Sequence, residues 1–437
     1  MRLAGMLAIT IGVPALAGPL PDANAVFPEV SFESAELGQL LFYDPILSGN
    51  KNISCGTCHH PTLGTSDGVS LGIGEGGFGL GLHRMFDPEN PPEERIPRNA
   101  PALWNLGATE FTRMFHDGRV ELDPAEPNGV RTPLGEEMLA GAKNILAVQA
   151  MFPVLSGDEM AGHYSESDIS KAARLGQNSQ EGGVWDIIAT RVASIPEYRE
   201  RFDAIIGADQ PIGYVDIANA LADFIAFEWR SDDSPFDRHI KGEASLSGGA
   251  LRGMELFYGK AECDSCHSGQ FQTDHDFHAI AMPQIGPGKS APFESHFRDT
   301  GRMLVTGAEA DAYAFRTPSL RNVTVTAPYG HSGAYADLRD VVEHHLDPVA
   351  SLRAYSTDRA ALPEFAEAED WHIVENEAEV NAIADANSLA PNSGLSDAEV
   401  DDILAFLAAL KDDNDGRGRL GVPESVPSGL PLDAVTQ

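Results

Sequence analysis

The sequence predicts a mainly α protein in which long irregular loops connect two similar helical domains. The triplets Leu41-Phe42-Tyr43 and Leu256-Phe257-Tyr258 each end an amphipathic segment, and each precedes a Cys-x-x-Cys-His motif. This weak repeat indicates a helix-and-turn unit that occurs twice. No stretch shows the sustained alternation of a strand. The 43 glycines and 29 prolines favour ordered but irregular connections.

Length and charge limit the classes of function. A chain of 437 residues has room for two or three packed cores. Its formal net charge of −36 argues against binding to nucleic acids or anionic membranes, which require basic patches. The same charge suits a protein that attracts a basic partner.

The first 25 residues have the pattern of a secretory signal peptide. Arg2 precedes an apolar run from Leu7 to Leu16, and Ala15-Leu16-Ala17 and Ala23-Asn24-Ala25 are candidate cleavage sites. The apolar run is shorter than the ~20 residues needed to span a bilayer, and we expect no membrane span elsewhere. We therefore predict export to the periplasm.

The cysteines provide the decisive pattern. All four lie in two pentapeptides, Cys55-Gly56-Thr57-Cys58-His59 and Cys263-Asp264-Ser265-Cys266-His267. Cys-x-x-Cys-His is the attachment signature of haem c, whose iron the adjacent histidine ligates. A zinc site would need its cysteine pairs closer in sequence, and disulfides would not explain the histidines. The sequence therefore predicts two covalently bound haem c groups, with His59 and His267 as proximal ligands.

These motifs define the expected domains. We assign residues 1–25 to the signal peptide, 26–235 and 236–415 to two cytochrome-c-like haem domains, and 416–437 to a flexible tail. Near the end of the second domain, Ser396 and Glu399 form a capping box before apolar residues at helical spacing. We expect this last helix to pack on the helix that precedes Cys263.

Beyond the haem motifs, the sequence resembles the bacterial di-haem cytochrome c peroxidases and the related MauG-type enzymes. The resemblance extends from about Glu36 to Leu410. Besides the two haem motifs, it rests on the segments Leu41-Phe42-Tyr43-Asp44, Arg98-Asn99-Ala100-Pro101, Phe115-His116-Asp117-Gly118-Arg119, Glu137-Met138, Thr317-Pro318-Ser319-Leu320-Arg321-Asn322 and Thr326-Ala327-Pro328-Tyr329-Gly330-His331-Ser332-Gly333.

The resemblance implies different roles for the two haems. The N-terminal haem would react with peroxide, and the C-terminal haem would receive electrons. A calcium ion would lie between the domains, held by Asn99 and by the backbone carbonyls of Thr326 and Pro328, because oxygen ligands suit Ca²⁺. Glu137 corresponds to the distal acid–base carboxylate of the family, and Glu136 is the neighbouring alternative.

At three positions the sequence departs from the family pattern. The glycine-rich loop 68–82 contains no histidine, so either His83 supplies a sixth ligand to the first haem or that position is open. His116 replaces the tryptophan usual between the haems, and Trp104 could substitute for it. His345 occupies the place of the family's methionine or tyrosine ligand to the second haem, which would give two histidine ligands and a lower potential.

Further alternatives remain for the second haem, namely His344, Met282 and Met303. For function, we expect a periplasmic peroxidase that reduces hydrogen peroxide with electrons from a small cytochrome c or cupredoxin. The alternatives are a MauG-type oxidase that modifies a protein or small molecule, and a di-haem electron carrier, although a carrier would need no distal acid. Homodimers are common in the family.

Overall fold

The computed structural model describes residues 19–22, 25–289, 296–392, 394–413 and 418–433. The expected signal peptide therefore lies largely outside the described residues. Helix accounts for 38% and strand for 6%, which confirms the mainly α prediction. No helix within the described ranges has the length and apolar character needed to cross a bilayer.

Short helices and long connections alternate along the chain. The α-helices are α1 (Phe32–Tyr43), α2 (Cys55–Cys58), α3 (Ile145–Gln149), α4 (Asp168–Arg174), α5 (Val184–Ala193), α6 (Pro196–Ile206), α7 (Tyr214–Glu228), α8 (Pro235–Ile240), α9 (Gly248–Phe257), α10 (Met303–Thr306), α11 (Leu338–Leu346), α12 (Pro348–Arg353), α13 (Glu377–Asp385) and α14 (Asp397–Ala408).

The strands are short and belong to three small antiparallel sheets. They are β1 (Gly77–Phe78) with β2 (Met85–Phe86), β3 (Arg113–Met114) with β4 (Val120–Leu122) and β5 (Val130–Arg131), and β6 (Phe277–His278) with β7 (Phe315–Arg316). These strand pairs connect the ends of loops, and most of the regular structure is helical.

Two apolar cores organise the chain. The larger core consists mainly of buried side chains between Leu37 and Trp229, and the smaller one gathers side chains between Phe236 and Leu410. In each core, the helix before a Cys-x-x-Cys-His turn packs on a later helix: α1 packs on α7, and α9 packs on α14 as expected. The capping box at the start of α14 is also confirmed, since the Ser396 N–H donates to Glu399 Oε2 at 2.8 Å.

Both helix crossings depend on a glycine at the same place in the repeat. Gly38 and Gly253 each lie five residues before the tyrosine of the Leu-Phe-Tyr triplet. A Cβ at Gly38 would overlap the carbonyl of Ala220 in α7, and a Cβ at Gly253 would overlap the carbonyl of Asp402 in α14. Because glycine has no Cβ, the backbones of the two helices in each pair can approach closely at this crossing.

The described part of the expected tail, residues 418–433, packs against the rest of the chain. Residues 418–433 lie along the N-terminal domain, where Val426 is buried in the larger core and Leu420, Leu430 and Leu432 pack against it. The Glu228 carboxylate accepts hydrogen bonds from backbone N–H groups of residues 419–421. The segment is held by partners that lie almost 200 residues or more earlier, which local sequence patterns do not reveal.

Candidate active site

The N-terminal Cys-x-x-Cys-His turn presents two thiols and one oriented imidazole. Cys55 and Cys58 occupy the single-turn helix α2, and neither forms a disulfide. His59 follows, and its Nδ1 donates to the Thr65 carbonyl at 3.0 Å. This hydrogen bond holds a proton on Nδ1, so Nε2 is the nitrogen that would bind a metal. Burial lowers the pKa of His59, so the imidazole is held in the neutral form that ligation requires.

The C-terminal turn has the same design. Cys263 and Cys266 are unpaired, and His267 Nδ1 donates to the carbonyl of Gln272 at 3.0 Å. Burial, aided by the nearby His345, lowers the pKa of His267 to about 4. Both turns therefore fit haem c through their own residues: each offers two free thiols beside one neutral imidazole whose Nδ1 donates to a backbone carbonyl.

His345 lies opposite His267. The centroids of the two rings are 6.3 Å apart, and His345 Nδ1 donates to the Val341 carbonyl at 2.7 Å, which again leaves Nε2 free. A metal between the two rings would lie about 2.0 Å from one nitrogen of each ring, as in protein zinc sites. These two bonds, added to the distance from each nitrogen to the centroid of its ring, give a separation of this size. The pair therefore fits a single six-coordinate iron.

The alternatives for this position are already engaged elsewhere. His344 is buried; it accepts from the Tyr335 hydroxyl at 3.1 Å and donates to the Ile280 carbonyl at 2.8 Å. Met282 is buried in a small cluster with Ala334 and Tyr335. Met303 begins α10 and is half-buried. His345 is thus the side chain that the fold brings to His267.

The glycine-rich loop beside the first haem turn is tied down by Arg84. Its guanidinium donates to the carbonyls of Gly79, Gly74 and Gly77 at 2.8, 2.6 and 3.0 Å, and also to that of Ile73. Arg84 is buried, whereas His83 beside it is exposed. Among the described residues, no imidazole lies opposite His59 in the way that His345 lies opposite His267.

Three glutamates are candidates for the role of distal carboxylate. Glu137 and Glu136 are exposed on a 3₁₀ turn, Gly135–Glu137. Glu159 instead lies in a π-helical turn, Gly157–Ala161, which is a geometry often found at functional sites. Its carboxylate is within electrostatic range of Cys58 in the first haem turn.

Burial raises the pKa of the Glu159 carboxyl, while the cations Arg119 and Lys289 act in the opposite direction. Sequence reasoning missed this residue, although a signal was present. Asp158-Glu159-Met160 repeats the acid-Glu-Met pattern of Glu136-Glu137-Met138. Only the fold distinguishes the two copies, because Glu137 is exposed whereas Glu159 is half-buried and within electrostatic range of Cys58.

A buried ionic cluster joins the two domains. Arg98 pairs with Asp299 at 2.6 Å and with Asp117 at 2.6 Å. His116 lies beside this cluster, and its Nε2 donates to the Asn99 carbonyl at 3.0 Å. Burial, aided by Arg98, lowers the pKa of His116 to about 4, so the ring is neutral at physiological pH.

Of the expected calcium ligands, Asn99 contacts the segment that contains the other two. The Asn99 N–H donates to the His331 carbonyl at 2.9 Å, and the Asn99 side-chain amide donates to Val69 O at 2.8 Å. Asn99 Oδ1 accepts no hydrogen bond among the described residues. Thr326 and Pro328 lie in the segment that leads to His331. A site for a hard cation built from Asn99, Thr326 and Pro328 is compatible with this arrangement.

Trp104 lies near the first haem turn rather than in the place of His116. It is buried, and its Nε1 donates to the Gly64 carbonyl at 3.1 Å, next to the Thr65 carbonyl that orients His59. The backbone at Gly64 also approaches the carbonyl of Val325 in the second domain. Trp104 therefore supports the loop of the proximal histidine.

Comparison with known proteins agrees with this geometry. The family model described as di-haem cytochrome c peroxidase matches residues 32–245. MauG, the methylamine utilization protein of Methylorubrum extorquens, is 32% identical over 75% of this chain and 71% of its own length. The chain belongs to the di-haem cytochrome c peroxidase family.

Other relatives point the same way. The cytochrome c551 peroxidases of Nitrosomonas europaea and Pseudomonas aeruginosa are 30% and 29% identical, over 78% and 72% of this chain and 80% and 71% of theirs. A solved MauG-like protein associated with microbial copper homeostasis has a TM-score of 0.57 at 24% identity, with 94% of this chain and 97% of that chain covered. Family membership makes this chain an oxidoreductase and implies two haem c groups.

Proposed function

We propose that the chain is an exported, periplasmic peroxidase that reduces hydrogen peroxide to water with electrons from a small cytochrome c or cupredoxin. One observation carries this proposal: two similar turns differ in what faces the histidine. His345 lies opposite His267, whereas no imidazole among the described residues lies opposite His59. One site is thus suited to passing electrons and the other to binding an oxidant.

In this proposal, Cys55 and Cys58 attach the N-terminal haem, and Cys263 and Cys266 attach the C-terminal haem. His59 would ligate the first iron, and His267 and His345 would ligate the second. When bound, the haems would supply one-electron chemistry and a metal that can react with an oxidant. Two histidine ligands favour a lower potential than a histidine–methionine pair.

The protein's own contribution is proton transfer and orientation. Reduction of one peroxide molecule to two waters consumes two electrons and two protons. We assign the movement of a proton from one peroxide oxygen to the other to the carboxyl of Glu159. Its raised pKa brings it closer to the operating pH, where an acid–base group is most effective. Glu137, in contrast, is exposed and well placed only to meet solvent.

Electrons must cross between the domains near His116. Because burial keeps this ring neutral, we propose that His116 provides a bridge for tunnelling and does not itself carry charge. The cluster of Arg98 with Asp117 and Asp299 fixes the two domains on either side. A calcium ion held by Asn99, Thr326 and Pro328 would add a second link at the same interface.

A MauG-type oxidation of a protein or small molecule is the second candidate. Two observations favour it: the imidazole at position 345 in place of methionine, and the outward position of His83 beside the Arg84-bound loop. Steady-state turnover of hydrogen peroxide with reduced cytochrome c distinguishes the two. The peroxidase proposal expects catalytic oxidation of the cytochrome. Peroxide consumption without oxidation of either donor class would contradict it and favour the second candidate.

A further inference from the structure

The two haem turns differ in how far the rest of the chain covers them. Gly56 and Thr57, inside the first turn, are buried. In the second turn, the equivalent Ser265 is exposed, as is Glu262 just before the turn. The segment 418–433, which we call the C-terminal strap, reaches the first turn through its last described residue, Asp433, which contacts Thr57. At the second turn, the Asn392 side chain contacts the carbonyls of Lys260 and Ala261 before the first cysteine, and Ser265 within the motif stays exposed.

Three carboxylates fix the course of the strap over the N-terminal domain. Glu228 accepts the N–H groups of Arg419, Leu420 and Gly421 at 2.9, 2.6 and 2.7 Å. Further along, the buried Asp44 accepts the Ser428 hydroxyl at 2.6 Å. These anchors hold the strap on the side of the domain where α1 ends.

The last anchor is made by the haem turn itself. The hydroxyl of Thr57, between the two cysteines of the motif, donates to the carboxylate of Asp433. Asp433 is also within electrostatic range of Cys58 and of Arg84, the residue that ties the glycine-rich loop. The end of the strap therefore closes over the turn that carries the thiols.

The position of these contacts has a consequence for electron transfer. The thiols of a Cys-x-x-Cys motif hold one edge of the haem, so a segment packed over the thiols also covers that edge. Electron tunnelling weakens steeply with distance, and a covered edge excludes close approach of an external donor. We propose that the C-terminal strap is an access barrier that confines electron entry from redox partners to the C-terminal haem.

This barrier would serve the proposed function, on which it rests. A haem that meets peroxide must not exchange electrons with every reductant in solution, since unpaired one-electron events would waste oxidant. The strap separates the two tasks: the covered turn lies beside Glu159, and the less covered turn lies at an acidic surface that includes Glu262.

The test uses the holoenzyme and three variants. One variant ends at Pro427 and lacks Ser428 and Asp433, but it keeps Val426 and the Glu228 anchor. The second is Asp433→Ala. The third, Glu424→Ala, is a matched control, because Glu424 is an exposed carboxylate of the same strap that does not contact the haem turn. Mass spectrometry first establishes that each variant carries two haems.

Anaerobic stopped-flow reduction by dithionite then follows each haem over a range of reductant concentrations. In the full-length chain, reduction of the N-terminal haem should become independent of dithionite concentration, because its electrons arrive through the other haem. In the shortened chain, the rate of reduction of this haem should rise in proportion to dithionite concentration. At the highest concentration, it should be at least about tenfold faster than in the full-length chain. Asp433→Ala should show a smaller increase, and Glu424→Ala none.

Hydrogen exchange over residues 54–60 reports separately whether the turn has been uncovered. Unchanged exchange in the shortened chain would overturn the proposal. Faster exchange and lower thermal stability with unaltered reduction kinetics would also overturn it, because the strap would then have a purely structural role. Failure of the proposed peroxidase function is distinguishable, because it would appear as absent turnover in the full-length chain whatever the kinetics of reduction.

Discussion

The two Cys-x-x-Cys-His turns share a supporting helix pair, a glycine at the helix crossing and a backbone carbonyl that orients the histidine. They differ on both sides of that common unit. His345 faces His267, and the second turn is only partly covered; no imidazole among the described residues faces His59, and the C-terminal strap closes over the first turn. In our proposal, distant residues thus give the repeated attachment unit a different task at each site.

Replacement of Glu159, the carboxylate near the first haem turn, should have the largest effect on activity. Replacement of Glu159 by Gln removes the acid–base group while keeping its shape, so peroxide turnover should fall by about 10²–10⁴-fold. Glu137→Gln is the matched control, and it should retain turnover close to that of the unmodified protein. Equal losses in both variants would remove the distinction between the half-buried and the exposed glutamate.

The same pair of variants gives a pH test. Burial raises the pKa of Glu159, so its ionised form destabilises the folded state, and this cost appears as pH rises through the folded-state pKa. Glu159→Gln should therefore be more stable than the unmodified protein at pH 7. The difference should vanish below the ordinary value of 4.5. Thermal unfolding of both proteins across pH measures it, and a difference independent of pH would contradict the assignment.

The facing imidazole of the second site is tested by His345→Met. A methionine ligand should raise the midpoint potential of this haem by on the order of 0.2 V, within the span of about 0.8 V over which axial ligands set haem potentials. Potentiometric titration measures the shift. His344→Ala, which removes the hydrogen-bonded neighbour, should leave the low-spin spectrum of the second haem intact. Loss of that spectrum in His344→Ala but not in His345→Met would reverse the assignment.

The shared framework predicts the smallest effects. Gly253→Ala and Gly38→Ala each insert a methyl group against a helix backbone, so each should lower the free energy of unfolding by about 1–3 kcal/mol. Gly129→Ala has a positive φ but open space around the site, and it provides a control for backbone strain without a clash. Denaturant unfolding of the three variants gives the comparison. A cost at Gly253 no greater than that at Gly129 would show that the crossing tolerates a side chain.

Local signals predicted the common unit well. The two pentapeptides, the helices before them and the capping box at Ser396 and Glu399 depend on residues close in sequence, and the structure has the helices and the cap as expected. The place of His345 came from its spacing after His331 in the family pattern, and the ring geometry supports it.

What the sequence did not reveal depends on long-range packing. Glu137 and Glu159 occur in the same local pattern, so only burial near Cys58 separates them. The strap has few apolar residues and no periodicity, and its partners Asp44, Thr57 and Glu228 lie far earlier in the chain. Such contacts leave no local trace in a single sequence.

Electron paramagnetic resonance of the resting, fully oxidised protein tests the central difference most directly. The account predicts one high-spin ferric signal from the haem at Cys55 and Cys58, and one low-spin signal typical of two histidine ligands from the other haem. A His83→Ala variant should give the same spectrum. Two low-spin signals, one of which is lost in His83→Ala, would contradict the account.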